Sequence, residues 1–380
     1  MRNFVISKKS AQEQVIALAR EAGITIHGDK PWDIAVHNDA FYSRLLAHGS
    51  LGLGESYMDG WWDTEKLDEF FTQVLRAKLD EKMTTFGILV SMLAARIINK
   101  QNKVRSQEVA EKHYDLSNDF YVHMLDKEYM QYTCAYWKDA ATLEQAQVNK
   151  LDLICKKLRL KSGERLLELG CGWGGLAKYA ARHYGVSVVA YNISKAQVEY
   201  ARKSCAGLPV EIVHDDYRAA RGSFDKVVSV GMCEHVGYKN YASFMRVARQ
   251  ALNEHGLFLV HTIGGNVSTT HSDPWLTQYI FPGSMLPSVK QLGGAFEKLF
   301  VLEDWHNFGA DYDRTLMAWH ANFEKNWHLF AGAGVFNERF HRMWKYYLLS
   351  CAGLFRARHT QLWQIVLSKN GVSGGYTPVR

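Results

Sequence analysis

Proline is scarce, at 6 of 380 residues. No tract is of low complexity and no segment recurs at a fixed period, which excludes disordered and solenoid architectures. The six cysteines (Cys134, Cys155, Cys171, Cys205, Cys233 and Cys351) form no C-x-x-C pair. Their scatter excludes a disulfide or zinc framework and predicts reduced thiols, no metal site and a cytoplasmic setting. The longest apolar run, Phe86–Ile98, contains Gly87 and Arg96. A bilayer span needs about 20 apolar residues, so this run is too short for one. The opening MRNFVISKK lacks the apolar core of a signal peptide. No zinc-finger, homeodomain or RNA-recognition signature occurs, so no nucleic-acid partner is expected.

What is present is a globular composition, 47% hydrophobic and 22% charged. Its length accommodates one large or two ordinary domains. Lys and Arg number 45 against 39 Asp and Glu, a net charge of +6 that permits contact with anionic surfaces without requiring it. Aromatic residues reach 13%, with 11 Trp, 19 Tyr and 18 Phe, more than core filling demands. Lys100, Lys103 and Arg105 follow the Phe86–Ile98 run. Two readings stay open for it. It is a buried helix whose cations complement the macrodipole, or an interfacial helix whose cations meet anionic head groups.

Residues 1 to about 100 read as a smaller, mostly helical domain. Ser10-Ala11-Gln12-Glu13 fits a capping box, and Gly23 ends the helix it opens. Gly49–Asp63 (GSLGLGESYMDGWWD) reads as a Gly- and Trp-rich loop, followed by a helix with Leu67, Phe70, Phe71, Val74 and Leu75 on one face. The polar segment Asn99–Glu111 marks the expected boundary. From Lys161 the pattern alternates: Arg165–Leu169, Val186–Tyr191, Pro209–Val213, Lys226–Val230 and Leu257–His261 are strand-like, separated by helix-length segments. A sixth strand near Phe300–Glu303, an aromatic-rich helical stretch Thr315–Phe355 and a Leu362–Leu367 strand complete a seven-stranded set. Such alternation predicts a doubly wound α/β fold with a parallel, Rossmann-like sheet, and chemistry at the carboxyl ends of its strands.

The first of these strands runs into Glu168-Leu169-Gly170-Cys171-Gly172-Trp173-Gly174-Gly175. Gly170, Gly172 and Gly175 also satisfy the dinucleotide spacing, so the glycines alone decide little. The acid two positions before Gly170 can face a cationic amino-acid group. The second strand ends in Tyr191-Asn192, where a dinucleotide site would place an acid. E-x-G-x-G-x-G after a first strand resembles the S-adenosylmethionine loop of class I methyltransferases. Asp216, after the third strand, suits an adenine amino group or an ordinary solvated loop. Ser194-x-x-Gln197 suits the cofactor or a capping box.

Longer motifs are more specific: HYDLSNDFY (113–121), MQYTCAYW (130–137), GMCEHVG (231–237), His261-Thr262-Ile263-Gly264 and WHNFGADY (305–312). With the GLGESYMDGWWD stretch, they resemble the cyclopropane-fatty-acyl-phospholipid synthases of the long bacterial type over nearly the whole chain. Cys233 stands where Phe or another apolar residue is expected, a difference of packing more than of chemistry. The resemblance implies a class I methyltransferase fold over 101–380, and a lipid-engaging helical domain over 1–100. It implies methylene transfer from S-adenosylmethionine to a cis double bond in a phospholipid acyl chain. It implies a bound bicarbonate base held by Cys134, Glu234, His261, Tyr312 and the backbone of Ile263. Cofactor contacts are expected from Tyr114, Thr133, Glu168, Gly170, Gly172, Gly174, Asn192, Ser194, Gln197, Asp216 and Tyr217. A homodimer, peripheral on the inner face of the cell membrane, is the further expectation. Read residue by residue, Cys134 also fits a small buried hydrophobe and His261 a structural histidine. Glu234 stands out, because a carboxylate just beyond a core strand is costly unless paired or functional. A methyltransferase for a small acceptor and a non-catalytic lipid-surface module are the alternatives.

Overall fold

The computed structural model describes residues 8–82 and 118–380. The Phe86–Ile98 run, the Asn99–Glu111 boundary segment and Tyr114 lie outside the described residues. The described chain forms two compact units, one of residues 8–82, 273–282 and 316–359, the other of 118–272, 283–315 and 360–380.

The first unit is helical, with one short antiparallel ribbon of β1 (Ala35–Val36) and β2 (Trp62–Asp63). Its first helix, Lys8–Glu21, starts two residues ahead of the expected cap at Ser10. Trp62 is fully buried among Phe41, Tyr57 and Phe70, with ring centroids 5.1–6.0 Å apart. The Leu67–Arg76 helix buries Phe70 and Phe71 as its spacing predicts, and Arg356 ties down Asp68 and Glu69. The Gly49–Asp63 stretch is not a loop. The Ala40–Met58 helix runs through most of it, kinked at Gly49 (φ 56°, ψ −131°). The glycines here serve close packing: a Cβ on Gly54 would lie 2.3 Å from the Trp275 ring, and one on Gly52 2.3 Å from the Arg44 carbonyl. The aromatic-rich stretch is two helices, Ala310–Asn326 and Glu338–Arg356, joined through a 3₁₀ turn at Trp327–Leu329. No described helix is long and apolar enough to cross a membrane.

The second unit is built on seven strands: β3 (Arg165–Leu169), β4 (Ser187–Asn192), β5 (Val210–His214), β6 (Phe224–Val230), β7 (Leu252–Gly265), β8 (Val301–Asn307) and β9 (Thr360–Ser368). Their order is β5-β4-β3-β6-β7-β9-β8. Strands β3 to β7 pair in parallel, whereas β9 runs antiparallel to both neighbours, so the sheet is mixed rather than wholly parallel. The chain leaves β8 and returns beside it as β9, a reversal that needs no right-handed crossover. Alternation along the strands fills two cores. Leu166, Val188, Ile212 and Leu259 pack with Leu176 and Ala180 of the Gly175–Tyr184 helix on one face. On the other, Leu167, Leu169, Val227 and Phe258 meet Phe244 and Ala248 of the Tyr241–Ala251 helix. This two-sided cover is the doubly wound arrangement, and it directs the loops after β3, β6 and β7 to one sheet end.

Candidate active site

The turn after β3 needs its glycines. Gly170, Gly172 and Gly174 all adopt left-handed backbone (φ 86°, 52° and 80°). A Cβ on Gly175 would lie 1.9 Å from the Tyr129 carbonyl. The amides of Gly170 and Cys171 donate to the Tyr191 carbonyl at 3.1 and 3.0 Å, which fixes the turn against β4. Asn192 Nδ2 reaches back to the Gly172 carbonyl and also to Gln197 Oε1, both at 2.9 Å. Ser194 caps the Lys195–Ser204 helix by accepting from the Gln197 amide. The reciprocal half of the capping box is replaced by the Asn192–Gln197 bond, so these three predicted cofactor residues brace the loop as one set. Asn118, of the HYDLSNDFY motif, accepts from Trp173 Nε1 at 2.8 Å and adds a second brace.

Glu168 is buried and accepts from the Ala177 amide, while its Oε2 has no partner among the described residues. Burial pushes its carboxyl up to about 8, against the pull of Lys150. Lys150, fully buried, was not singled out from sequence. It donates to Gln131 Oε1 and to Thr133 Oγ1 (2.8 Å). Burial lowers it to about 8. One cation thereby couples the MQYTCAYW segment to the acid of the glycine loop.

That segment is clamped along its length. Asp126 accepts from the Tyr129 and Gln131 amides, and Gln147 Nε2 donates to the Gln131 and Thr133 carbonyls. The Ala135 amide and Trp137 Nε1 both donate to Thr315 Oγ1, and the Trp137 amide donates to Asp311. Cys134 is thus held against the first turns of the Ala310–Asn326 helix, which carry Tyr312. The Cys134 thiol is fully buried, donates to the Ala135 carbonyl at 3.2 Å, and is pushed well above its usual pKa by burial. Tyr312 is buried at 8% exposure.

Beyond β6 lies the short Cys233–Val236 helix, which carries Glu234. Glu234 Oε1 accepts from the Ile263 amide at 2.6 Å, and its Oε2 is buried without a partner among the described residues. Burial raises its carboxyl to about 7 although the Ile263 amide pulls the other way. Cys233 packs with Tyr241 and Phe244 in one of the two cores, in keeping with a packing role. His261, near the end of β7, presents its backbone carbonyl to the Gly231 amide at 2.9 Å. Its Nδ1 faces Gln364 Nε2 at 3.3 Å, across the antiparallel β7–β9 pair in which the two residues are in register. With the amide donating to Nδ1, the ring proton sits on Nε2, which is buried and unpartnered among the described residues. Burial, with Lys150 and Lys157 adding repulsion, holds His261 well below its usual pKa and therefore neutral.

A Cβ on Gly231 would lie 2.6 Å from Thr133 Cγ2, so the β6 turn abuts the clamped segment. Thr133, Gly231, Glu234, His261 and Ile263 form one contiguous set, and Phe308 adds an aromatic edge 5.9 Å from the His261 ring. Asp216 and Tyr217 each have partners of their own. The Asp216 carboxylate is engaged by Arg218 through Nε and Nη2, both at 2.7 Å, and caps the following 3₁₀ turn. Tyr217 packs its ring on Phe244. Gln147, Lys150, Asp311, Thr315 and Gln364 escaped the sequence reading, because each looks like an ordinary helix or strand residue until its partner is known. No described group of His, Cys, Asp and Glu could hold a metal ion.

Comparison with known proteins shows the family. Residues 101–365 match the family described as mycolic acid cyclopropane synthetase. The chain is 52% identical over 364 residues to the cyclopropane-fatty-acyl-phospholipid synthase of Escherichia coli (strain K12), covering 96% of this chain and 94% of that protein. The structure of the cyclopropane synthase MmaA2 from Mycobacterium tuberculosis is 30% identical and superposes with a TM-score of 0.64, over 69% of this chain and 98% of its own. Mycolic acid cyclopropane synthase CmaA1, in complex with SAH and CTAB, gives 29% identity, the same TM-score and the same coverage. At such identity over nearly the full length of both chains, this protein belongs to the S-adenosylmethionine-dependent cyclopropane-fatty-acyl-phospholipid synthase family.

Proposed function

We propose that the protein builds cyclopropane rings in phospholipid acyl chains, taking the methylene carbon from S-adenosylmethionine. The π-electrons of a cis double bond attack the activated methyl, the S–C bond breaks, and a neutral thioether leaves. The resulting carbocation loses a proton from the transferred methyl, and the freed C–H electron pair closes the ring. A bound bicarbonate would supply the base for that proton. The residues proposed to hold it are Cys134, Glu234, His261, Tyr312 and the backbone of Ile263.

The observation that carries this reading is the pair of buried polar atoms, Glu234 Oε2 and His261 Nε2, that have no partner among the described residues. A small anion with both donor and acceptor oxygens fits them. Neutral His261 donates through Nε2–H, and the Cys134 thiol and Tyr312 hydroxyl are further donors. Ionised Glu234 accepts a hydroxyl proton through Oε2 while the Ile263 amide fixes Oε1. All four side chains are buried, which keeps water from the cation. Glu168, the glycine turn and the Asn192–Ser194–Gln197 set support the proposed cofactor site with Thr133, Asp216 and Tyr217; Tyr114, also proposed for it, lies outside the described residues. We further propose that residues 1–100 present the catalytic part, 101–380, to the inner face of the cell membrane, in a homodimer.

Vesicles of cis-unsaturated phospholipid incubated with protein and S-adenosylmethionine test the reaction. Mass spectrometry should find acyl chains heavier by one CH₂ and lacking the double bond. Unchanged acyl chains would refute it, and an unchanged rate in bicarbonate-depleted buffer would refute the proposed base.

A further inference from the structure

We infer that the turn between the Ala310–Asn326 and Glu338–Arg356 helices inserts into an anionic phospholipid bilayer. The inference rests on the phospholipid reading above and names the element that meets the lipid. Residues 326–337 (NWHLFAGAGVFN) carry no formal charge. Leu329 and Val335 are 52% and 60% exposed, and the Ala331–Gly334 tip between them is exposed throughout. Gly332 and Gly334 take left-handed backbone (φ 83° and 57°), and a Cβ on either would meet no described atom within 4 Å. The tip therefore projects away from the described residues.

It is also an ordered structure. The Gly332 amide donates to the Phe336 carbonyl at 2.8 Å, and the amides of Ala333 and Phe336 close two tight turns at 3.0 Å. Beneath the tip is an aromatic collar. Trp327 stacks on Phe340 (6.2 Å, 7°), Phe336 meets Phe330 and Phe340 at 5.3 and 5.0 Å, and Phe340 stacks on Trp344 (5.7 Å, 10°). Exposed Lys325 and Arg339 flank the collar, Arg339 paired with exposed Asp59, and Glu338 is a second exposed acid beside them.

An apolar tip, a belt of Trp and Phe, and cations at the next level match the order met on entering a bilayer from water: head-group phosphates at the cations, the interface at the rings, acyl chains at the tip. A charged or polar protein partner would leave Leu329 and Val335 unmatched. The loop lies in the unit that contains the N-terminal helices.

The test uses the full chain and the double variant Leu329→Glu/Val335→Glu. Flotation with vesicles of anionic, cis-unsaturated phospholipid should show binding reduced at least about tenfold. Turnover on the same lipid dispersed in detergent should stay within about twofold. Leu329→Trp/Val335→Trp should float like the wild type. Undiminished flotation of the Glu variant overturns the inference. So does an equal loss in the detergent assay or a changed oligomeric state, which would assign the loop to the fold or to a second copy. Wild-type protein that floats yet alters neither form of lipid would instead sink the phospholipid reading, leaving the flotation result to stand by itself.

Discussion

Replacing Glu234 with Gln should stabilise the protein in alkali while disabling it. The carboxyl is enclosed, one oxygen on the Ile263 amide and the other bare among the described residues. Burial lifts its pKa from 4.5 to about 7. At 1.36 kcal/mol per unit, the folded state disfavours ionisation by about 3 kcal/mol relative to the unfolded chain. The sign follows from proton binding. Between the two pKa values the folded chain holds the proton and the unfolded chain does not. Wild-type stability is therefore fully present below about 4.5 and is lost as pH rises through about 7. Gln keeps the acceptor for Ile263 and cannot ionise. Urea unfolding of both proteins in bicarbonate-free buffer, near pH 5 and near pH 8, measures the difference. The variant should gain on the wild type by most of that 3 kcal/mol across the interval. At neutral pH its turnover should fall about a hundredfold or more, with S-adenosylmethionine binding retained. A stability difference that ignores pH, or equal losses in binding and turnover, would refute the reasoning.

Lys150→Met should destabilise by about 1–3 kcal/mol, because it strips the donor from the enclosed Gln131 and Thr133 oxygens. An unfolding free energy within about 0.5 kcal/mol of wild type would show that these oxygens find other donors once the ammonium is gone. Gly54→Ala drives a methyl to 2.3 Å from the Trp275 ring, and thermal unfolding should report a loss of about 1–3 kcal/mol. An unshifted Tm would mean that the indole moves aside freely.

Much of the sheet was legible because each strand from β3 to β6 is a short apolar run closed by turn residues, and the pattern needs no knowledge of neighbours. The direction of β9 was not legible. Strand pairing is a non-local fact, and the His261–Gln364 register exists only once β9 lies beside β7. The Gly49–Asp63 stretch misled for a different reason. Glycine favours turns, yet Gly52 and Gly54 are there because a helix passes too close to Arg44 and Trp275 for any side chain. Glu234 drew attention by its position, and its pairing with the Ile263 amide agrees with that. Lys150 did not, since a lysine on an amphipathic helix is normally solvated, and only the tertiary structure encloses it.

All six cysteines are free, and five are buried, with burial lifting their thiols above the usual range. Thiolate, the form that alkylating and oxidising reagents attack, is therefore scarce in the closed protein. Four of them, Cys134, Cys155, Cys171 and Cys233, lie in the clamped segment, the core and the turns after β3 and β6 of the second unit. Any reagent that modifies them in native buffer has waited for that unit to open, so the rate of thiol capture is a clock for its breathing. Inactivation by such reagents accordingly measures how often the fold opens and does not identify a sulfur nucleophile.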